Sequence, residues 1–180
     1  TNQFSLVKEI PAGIIGGLEW TKDSKSLGIT FTNYNALSDV FEYQLSTKSF
    51  VRWTESELGD MDISGLKEPQ IISWKSFDGK AITGYVYKAA SKFKGKRPVI
   101  INIHGGPEGQ SRPNFIGRAN YFLNEMGITL IYPNVRGSSG FGKSFLDMDN
   151  GFKREESVKD IGALLDWIAQ QPDLDRDRIM

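Results

Sequence analysis

The chain has 180 residues, of which 39% are hydrophobic and 24% are charged, a composition typical of soluble globular proteins. Its 22 Lys and Arg residues balance 22 Asp and Glu residues, which argues against nucleic acid or a membrane surface as partner. The absence of cysteine excludes disulfides, thiolate metal sites and a cysteine nucleophile. The sequence shows no membrane-spanning run and no signal peptide. The lack of cysteine is compatible with the cytoplasm, which is the location we expect.

Four short apolar runs in the first third of the chain predict β-strands separated by tight turns. They cover residues 14–20, 27–32, 40–45 and 50–53. Four strands within about 40 residues match one blade of a β-propeller, although any small antiparallel meander would give the same pattern. The polar, acidic stretch 55–70 predicts a linker. We therefore assign residues 1–68 to the end of a propeller domain with its linker, and residues 69–180 to a second domain.

The second region predicts an α/β fold. Asp78-Gly79 predicts a hairpin between two alternating strands. The elements expected in this region are strands at 71–77, 81–87, 99–103 and 128–132, helices at 115–126 and 155–170, and a strand that begins at 179–180. Gly127 and Pro172 supply helix stop signals. The second helix is expected to place Val158, Ile161, Leu164, Leu165 and Ile168 on one face. Strands alternating with helices predict a sheet with crossover connections.

The tetrapeptide His104-Gly105-Gly106-Pro107 follows the buried strand 99–103 and precedes the first helix. In α/β-hydrolases the loop at this place supplies one backbone N–H to the oxyanion hole, and glycine lets the backbone approach the substrate oxygen closely. A plain glycine turn is the alternative, but the strand before and the helix after favour the oxyanion role. His104 is the only histidine; because the hydrolase order is Ser, acid, His, we predict that it orients or packs the loop and is not the catalytic base.

Residues 137–144 fit the P-loop pattern G-x-x-x-x-G-K-[ST]. A P-loop follows its strand directly and opens a helix at the Lys-Ser pair, whereas here residues 133–136 intervene and residues 145–151 resemble a loop. The sequence therefore favours a glycine-rich active-site loop over a nucleotide site, and it predicts no cofactor and no metal. No G-x-S-x-G nucleophile motif is present.

Taken together, the motifs resemble the prolyl oligopeptidase family of serine peptidases, in the branch of acylaminoacyl-peptidases and related dipeptidyl- or oligopeptidases. The segments that carry the resemblance are WTKD at 20–23, FDGK at 77–80, IHGGP at 103–107, NVRGSSGFG at 134–142, VKDI at 158–161 and DRDRI at 175–179.

The resemblance implies the N-terminal half of an α/β-hydrolase domain, preceded by the last blade of a β-propeller. Gly106, with Gly105 beside it, maps to the oxyanion donor, and the Ser-Asp-His triad maps to residues beyond Met180. The implied function is a serine peptidase acting on short peptides, and the 180-residue chain alone is expected to be inactive. Its implied partners are a peptide substrate and the rest of the same polypeptide, and homo-oligomers are compatible with the resemblance. A carboxylesterase on the same fold and a noncatalytic binding module remain the alternatives.

Two further expectations follow. Two roles are possible for Arg136: it binds a substrate carboxylate, or it forms an ion pair with Asp160 or Glu156. The family pattern of an Arg-Gly turn followed by an acidic helix favours the ion pair. The strand that lies beside residues 99–103 in the family is expected after Met180. The sequence therefore predicts a bare edge on that central strand and poor stability of the chain by itself.

Overall fold

The structure is a computed structural model that describes residues 3–63, 65–106 and 108–180. It contains two compact units, each with its own sheet. The first unit comprises the chain up to Leu66 together with Pro113–Gly117, and the second comprises Lys67–Arg112 and Arg118–Met180. Pro107, the last residue of the predicted oxyanion motif, lies outside the described residues.

The first unit contains an antiparallel sheet of four strands in sequential order. The strands are β1 (Ile14–Trp20), β2 (Ser26–Asn33), β3 (Ala36–Gln44) and β4 (Ser49–Arg52). All four predicted strands are present, and β3 is longer than predicted because it begins at Ala36. Ile29, Phe31 and Tyr43 form the centre of the core on one face. The arrangement is the four-stranded meander that the pattern of short apolar runs predicts.

A buried carboxylate connects the end of this sheet to the segment that follows. The side chain of Asp39 is 0% exposed and accepts hydrogen bonds from Arg52, from Thr54 Oγ1 and from both the backbone N–H and the hydroxyl of Ser56. These bonds lower the pKa of Asp39 against the opposing effect of burial. Asp39 thereby holds residues 52–56 against β3.

The second unit contains a mixed five-stranded sheet in the order β5-β6-β8-β7-β9. The strands are β5 (Gln70–Lys75), β6 (Ala81–Tyr87), β7 (Arg97–Ile101), β8 (Thr129–Asn134) and β9 (Leu174–Ile179). The helices are α1 (Asn120–Asn124), α2 (Lys143–Leu146) and α3 (Glu156–Ala169). β5 and β6 form the predicted hairpin, and β7 runs parallel to both β8 and β9. Because β7 and β8 are parallel, the loops that follow them meet at the same edge of the sheet.

Helix α3 packs on this sheet through a face centred on Asp160, Leu164 and Ile168, each of which is 0% exposed. Two residues assigned to that face by the apolar pattern are instead outside it, since Val158 is 68% and Leu165 is 41% exposed. The face predicted from apolar residues differs from the buried face because a charged residue, Asp160, occupies a central buried position, which a hydrophobicity pattern does not indicate. In the described part of the chain, no helix is both long enough and apolar enough to cross a bilayer.

The helix predicted at 115–126 is much shorter in the structure. α1 covers only Asn120–Asn124 and is preceded by a single 3₁₀ turn at Gly117–Ala119. Gly117 has a φ of 53°, a left-handed conformation that an α-helix does not contain. α1 ends at Asn124 with Glu125 as its C-cap, so Gly127, with a φ of 64°, lies one residue beyond the C′ position at which the sequence predicts it to end the helix.

The prediction of a bare edge on β7 is wrong. β9 begins at Leu174, earlier than the apolar pattern indicates, and pairs in parallel with β7. The pairing continues through Met180, whose N–H donates to the carbonyl of Val99 and whose carbonyl accepts from the N–H of Ile101. The sequence missed the start of β9 because charged residues occupy most of its length, as the segment LDRDRI shows. β7 is therefore paired on both sides.

Candidate active site

Two glycines in the loop after β7 have backbone N–H groups without an acceptor in the described part of the chain. Gly105 and Gly106 are both exposed, and within the described residues neither N–H donates to an acceptor. Gly106 has a φ of 108°, a conformation that side-chain-bearing residues rarely adopt. The geometry gives this loop backbone N–H groups that are open to a ligand oxygen.

His104 holds the start of this loop against the loop after β8. Its Nε2 lies 2.9 Å from Oγ of Ser138, and the Ser138 hydroxyl lies 2.6 Å from the carbonyl oxygen of Val135. A carbonyl oxygen only accepts, so the hydroxyl donates to Val135 and accepts from His104 Nε2. The prediction that His104 orients or packs the loop agrees with this contact.

The His104–Ser138 pair has the separation of a catalytic Ser–His pair but lacks the other features that such a pair needs. Ser138 is 0% exposed, so no substrate carbon can reach its hydroxyl, and its proton is engaged by Val135. The acceptor that lies near Nδ1 of His104 is the carbonyl of Gly105, at 3.4 Å, and not a carboxylate. The pair is therefore a structural contact.

Further hydrogen bonds hold the far end of the same loop. Ser111 and Asn134 exchange two bonds, from Ser111 N to Asn134 Oδ1 at 2.7 Å and from Asn134 Nδ2 to the Ser111 carbonyl at 3.1 Å. The N–H of Ser139 donates to the carbonyl of Gly109 at 3.0 Å. A Cβ on Gly109 would lie 2.8 Å from His104 Nδ1, so glycine is required for this close approach. The loop is thus anchored on both sides of the exposed glycine pair.

A cleft of about 230 Å³ opens beside Gly106. His104 and Gly106 form part of its wall, and the apolar side chains of Ile103, Val135 and Ile161 form another part. Val158, which lies outside the buried face of α3, also lines this cleft. The exposed donors of the loop therefore lie at the border of an apolar recess.

Arg136 forms the ion pair that the sequence predicts. Its guanidinium is 1% exposed and binds Asp160 at 2.8 Å and Glu156 at 2.9 Å. It also binds Asp78 in the turn of the β5–β6 hairpin at 3.1 Å, a partner that the sequence did not indicate, and it stacks over the ring of Phe77. The hydrogen bonds from Arg136 lower the pKa of Asp78 to about 2. With this many partners, the guanidinium is not available to a substrate.

The glycine-rich segment 137–144 does not form a P-loop. Gly137, Gly140 and Gly142 all have φ near 90°, and α2, which begins at Lys143, is only four residues long. Gly137 lies against the buried carboxylate of Asp149, and a Cβ there would collide with it. The segment is a tightly turned loop with no long helix to present its N-terminus to a phosphate.

No metal site is evident in the described residues, since they contain no group of three or more His, Asp or Glu side chains able to hold an ion.

The sequence indicated the exposed glycine pair but not the residues that anchor its loop, which are Ser138, Ser111, Asn134 and Gly109. The buried serine and asparagine carry no apolar periodicity, and their roles depend on the pairing of β7 with β8. Only the glycine content of the two segments could have drawn attention to them.

Comparisons with known proteins confirm the family resemblance. Residues 113–180 match the prolyl oligopeptidase family. An uncharacterized peptidase of Rickettsia prowazekii (strain Madrid E) is 31% identical over 53% of this chain and 13% of its own length. Acylamino-acid-releasing enzyme 1 of Oryza sativa subsp. japonica is 30% identical over 68% of this chain and 16% of its own length. The chain thus spans less than a quarter of these relatives.

The fold is also similar to solved structures. A prolyl endopeptidase structure superimposes with a TM-score of 0.78 over 96% of this chain and 25% of that chain, at 20% sequence identity. The acylaminoacyl peptidase of Pyrococcus horikoshii gives a TM-score of 0.72 over 94% of this chain and 26% of that chain, at 23% identity. At sequence identities of 20% and 23%, this similarity shows that the fold is shared and is not evidence of a shared activity.

Proposed function

We propose, from the match of residues 113–180 to the prolyl oligopeptidase family, that the chain is part of a serine peptidase that hydrolyses short peptides. Residues 1–68 would form the last blade of a β-propeller and its linker, and residues 69–180 the first half of an α/β-hydrolase domain. The order β5-β6-β8-β7-β9, in which β8, β7 and β9 run parallel, supports this assignment. A cytoplasmic location and the oligomeric state stay predictions from the sequence.

One observation carries the proposal. The loop after β7 contains the exposed pair Gly105 and Gly106, whose N–H groups have no acceptor in the described residues, and Gly106 lines a largely apolar cleft. Backbone donors that are fixed before the reaction and aimed at a developing negative charge stabilise it without reorganisation. Anchored donors of this kind are what acyl transfer needs from the loop after the central strand.

In the proposed mechanism, Gly106 N–H donates to the carbonyl oxygen of the scissile bond as it becomes an oxyanion, and Gly105 shapes the approach of the backbone. A serine beyond Met180 attacks the carbonyl carbon, and a histidine assisted by an aspartate moves the proton from the serine to the leaving amine. Water then hydrolyses the acyl-enzyme by the same route. His104 and Ser138 take no part in these proton transfers.

Labelling with a fluorophosphonate tests the proposal on the full-length protein that contains this chain. The reagent phosphonylates an activated serine, and mass spectrometry of the digest identifies the modified peptide. We expect one labelled serine, in a peptide that lies after Met180. A folded protein that remains unlabelled would support a noncatalytic binding module, and a label on Ser138 would contradict the assignment of the site.

The choice between peptidase and esterase needs a substrate panel, because the fold hosts both reactions. Acylated and free dipeptide amides are compared with esters of the same residues, so that only the leaving group differs. We expect turnover of the amides as well as of the esters, which are intrinsically the more reactive acyl donors. Turnover of the esters alone would replace the peptidase proposal with a carboxylesterase.

A further inference from the structure

The hydroxyl of Ser138 connects the loop after β7 to the loop after β8. It lies 2.9 Å from Nε2 of His104 and 2.6 Å from the carbonyl oxygen of Val135, in a position that is 0% exposed. Because the hydroxyl gives its proton to Val135, its lone pairs are left for the Nε2 proton of His104. The hydroxyl thereby favours the tautomer with the proton on Nε2 and orients the ring, since the competing acceptor, the Gly105 carbonyl, lies farther away at 3.4 Å from Nδ1.

We infer that Ser138 is a positioning residue for the oxyanion site, acting through His104 on the backbone of Gly105 and Gly106; this inference rests on the proposed function. His104 directly precedes the glycine pair, which has no side chains and whose N–H groups have no acceptor in the described residues. The carbonyl of Gly105 lies 3.4 Å from Nδ1 of His104 itself. The other end of the loop is held by Ser111 and Asn134. The His104 ring is thus the side-chain anchor nearest to the donors.

The contacts of Ser138 separate this role from simple packing. Its backbone N–H also donates to the Val135 carbonyl, at 3.0 Å. Replacing the hydroxyl with hydrogen therefore keeps the turn from Val135 to Ser138 but leaves Nε2–H of His104 without its acceptor. His104 is partly buried, and leaving its donor without a protein partner favours a rotation of the ring that finds another acceptor. The expected consequence is a displaced His104 ring and a less ordered glycine pair.

The kinetic effect of Ser138→Ala in the full-length protein follows from this geometry. Because the oxyanion donors act in the transition state, a small misplacement lowers kcat more than it changes substrate binding. We expect kcat to fall by about 10- to 100-fold, with KM changed by less than about threefold. The matched control is Ser91→Ala: Ser91 is exposed in the connection between β6 and β7 and is expected to keep wild-type kcat.

A conservative exchange on the other partner distinguishes positioning from folding. The amide nitrogen of glutamine can donate to Ser138 Oγ as Nε2 of histidine does, so His104→Gln should retain more kcat than His104→Leu. In the Ser138→Ala background the acceptor is missing, and the advantage of glutamine over leucine should disappear. If Ser138 served only to stabilise the fold, the kcat of His104→Gln would exceed that of His104→Leu by the same factor with and without the Ser138 hydroxyl.

Two results would overturn the inference: wild-type kcat in Ser138→Ala, or equal kcat in His104→Gln and His104→Leu. Crystal structures of the full-length wild type and Ser138→Ala keep the test separate from the proposed function. If the wild type hydrolyses nothing and takes no label, the proposed function fails. In that case a displaced Gly105–Gly106 backbone in Ser138→Ala still supports positioning, and an unchanged backbone overturns it.

Discussion

The backbone N–H and the guanidinium of Arg136 both bind the carboxylate of Asp160, and both residues are almost completely buried. Asp160 also accepts from the hydroxyl of Ser76, and its carbonyl accepts from Trp74 Nε1. Through its carboxylate and its backbone carbonyl, Asp160 of α3 therefore connects the start of the glycine-rich loop to strand β5 and to the turn that follows β5. A buried charge pair of this kind is strongly destabilising when one partner is removed.

The first prediction concerns Asp160→Asn. The amide keeps the volume but not the charge, so Arg136 remains buried with only Asp78 and Glu156 to neutralise it. We expect a loss of about 3 kcal/mol in the free energy of unfolding, measured by urea denaturation with tryptophan fluorescence. Asp166→Asn, an exposed position on the same helix, should change it by less than about 0.5 kcal/mol. Equal effects of the two variants would contradict the role assigned to the buried pair.

A second prediction follows from the pKa of Asp78, which hydrogen bonds from Arg136 lower from 3.8 to about 2. Since the folded state binds the Asp78 proton less tightly than the unfolded state, Asp78 stabilises the fold fully above its unfolded pKa. That contribution disappears as the pH falls through the folded value. The stability difference between wild type and Asp78→Asn, measured by urea denaturation, should therefore be constant near neutral pH and shrink between about pH 4 and pH 2. A difference that does not change across this range would mean that the Arg136–Asp78 contact is not formed in solution.

The third prediction compares the two glycines of the candidate site. An alanine at Gly106 would have to adopt a φ of 108°, so the backbone is expected to shift and the N–H to turn away from the substrate oxygen. We expect kcat to fall about 100-fold in Gly106→Ala. The loss in Gly105→Ala should be smaller, since nothing lies within 4 Å of a Cβ there.

The control for this pair is Gly95→Ala, which imposes a comparable strain at φ 76° in the connection between β6 and β7. Because Gly95 is distant from the glycine pair in the chain, Gly95→Ala should lower the free energy of unfolding without lowering kcat. Losses of kcat that are equal in Gly95→Ala and Gly106→Ala would show that strain alone, and not donor placement, controls activity.

The sequence predicts the elements that local residue patterns determine, and it misses those that depend on pairing between strands distant in the chain. Apolar periodicity and turn residues predicted the four strands of the first sheet and the β5–β6 hairpin, because local patterns determine them. The start of β9 was missed because LDRDRI carries charges along a strand whose pairing with β7 decides its conformation. The Ser138–His104 contact was missed for a related reason: its partners are 34 residues apart in the chain and meet only when β7 and β8 pair.

The fourth prediction concerns the P-loop pattern at residues 137–144. Lys143 is exposed at the start of a four-residue helix, so no cradle of N–H groups accompanies its charge. We expect titration with ATP and magnesium to show no saturable binding, and Lys143→Ala to leave peptide hydrolysis unchanged. Saturable binding that is lost in Lys143→Ala would establish the nucleotide site that the geometry argues against.

The most direct test of the account is the crystal structure of the full-length protein after reaction with a fluorophosphonate. The phosphonyl oxygen of such an adduct occupies the place of the oxyanion, so its hydrogen-bond donors identify the oxyanion hole. We predict that this oxygen lies about 3 Å from the backbone nitrogen of Gly106, with His104 still bound to Ser138. An adduct whose oxygen is held by other groups, with Gly106 N–H facing away from it, would contradict the assignment.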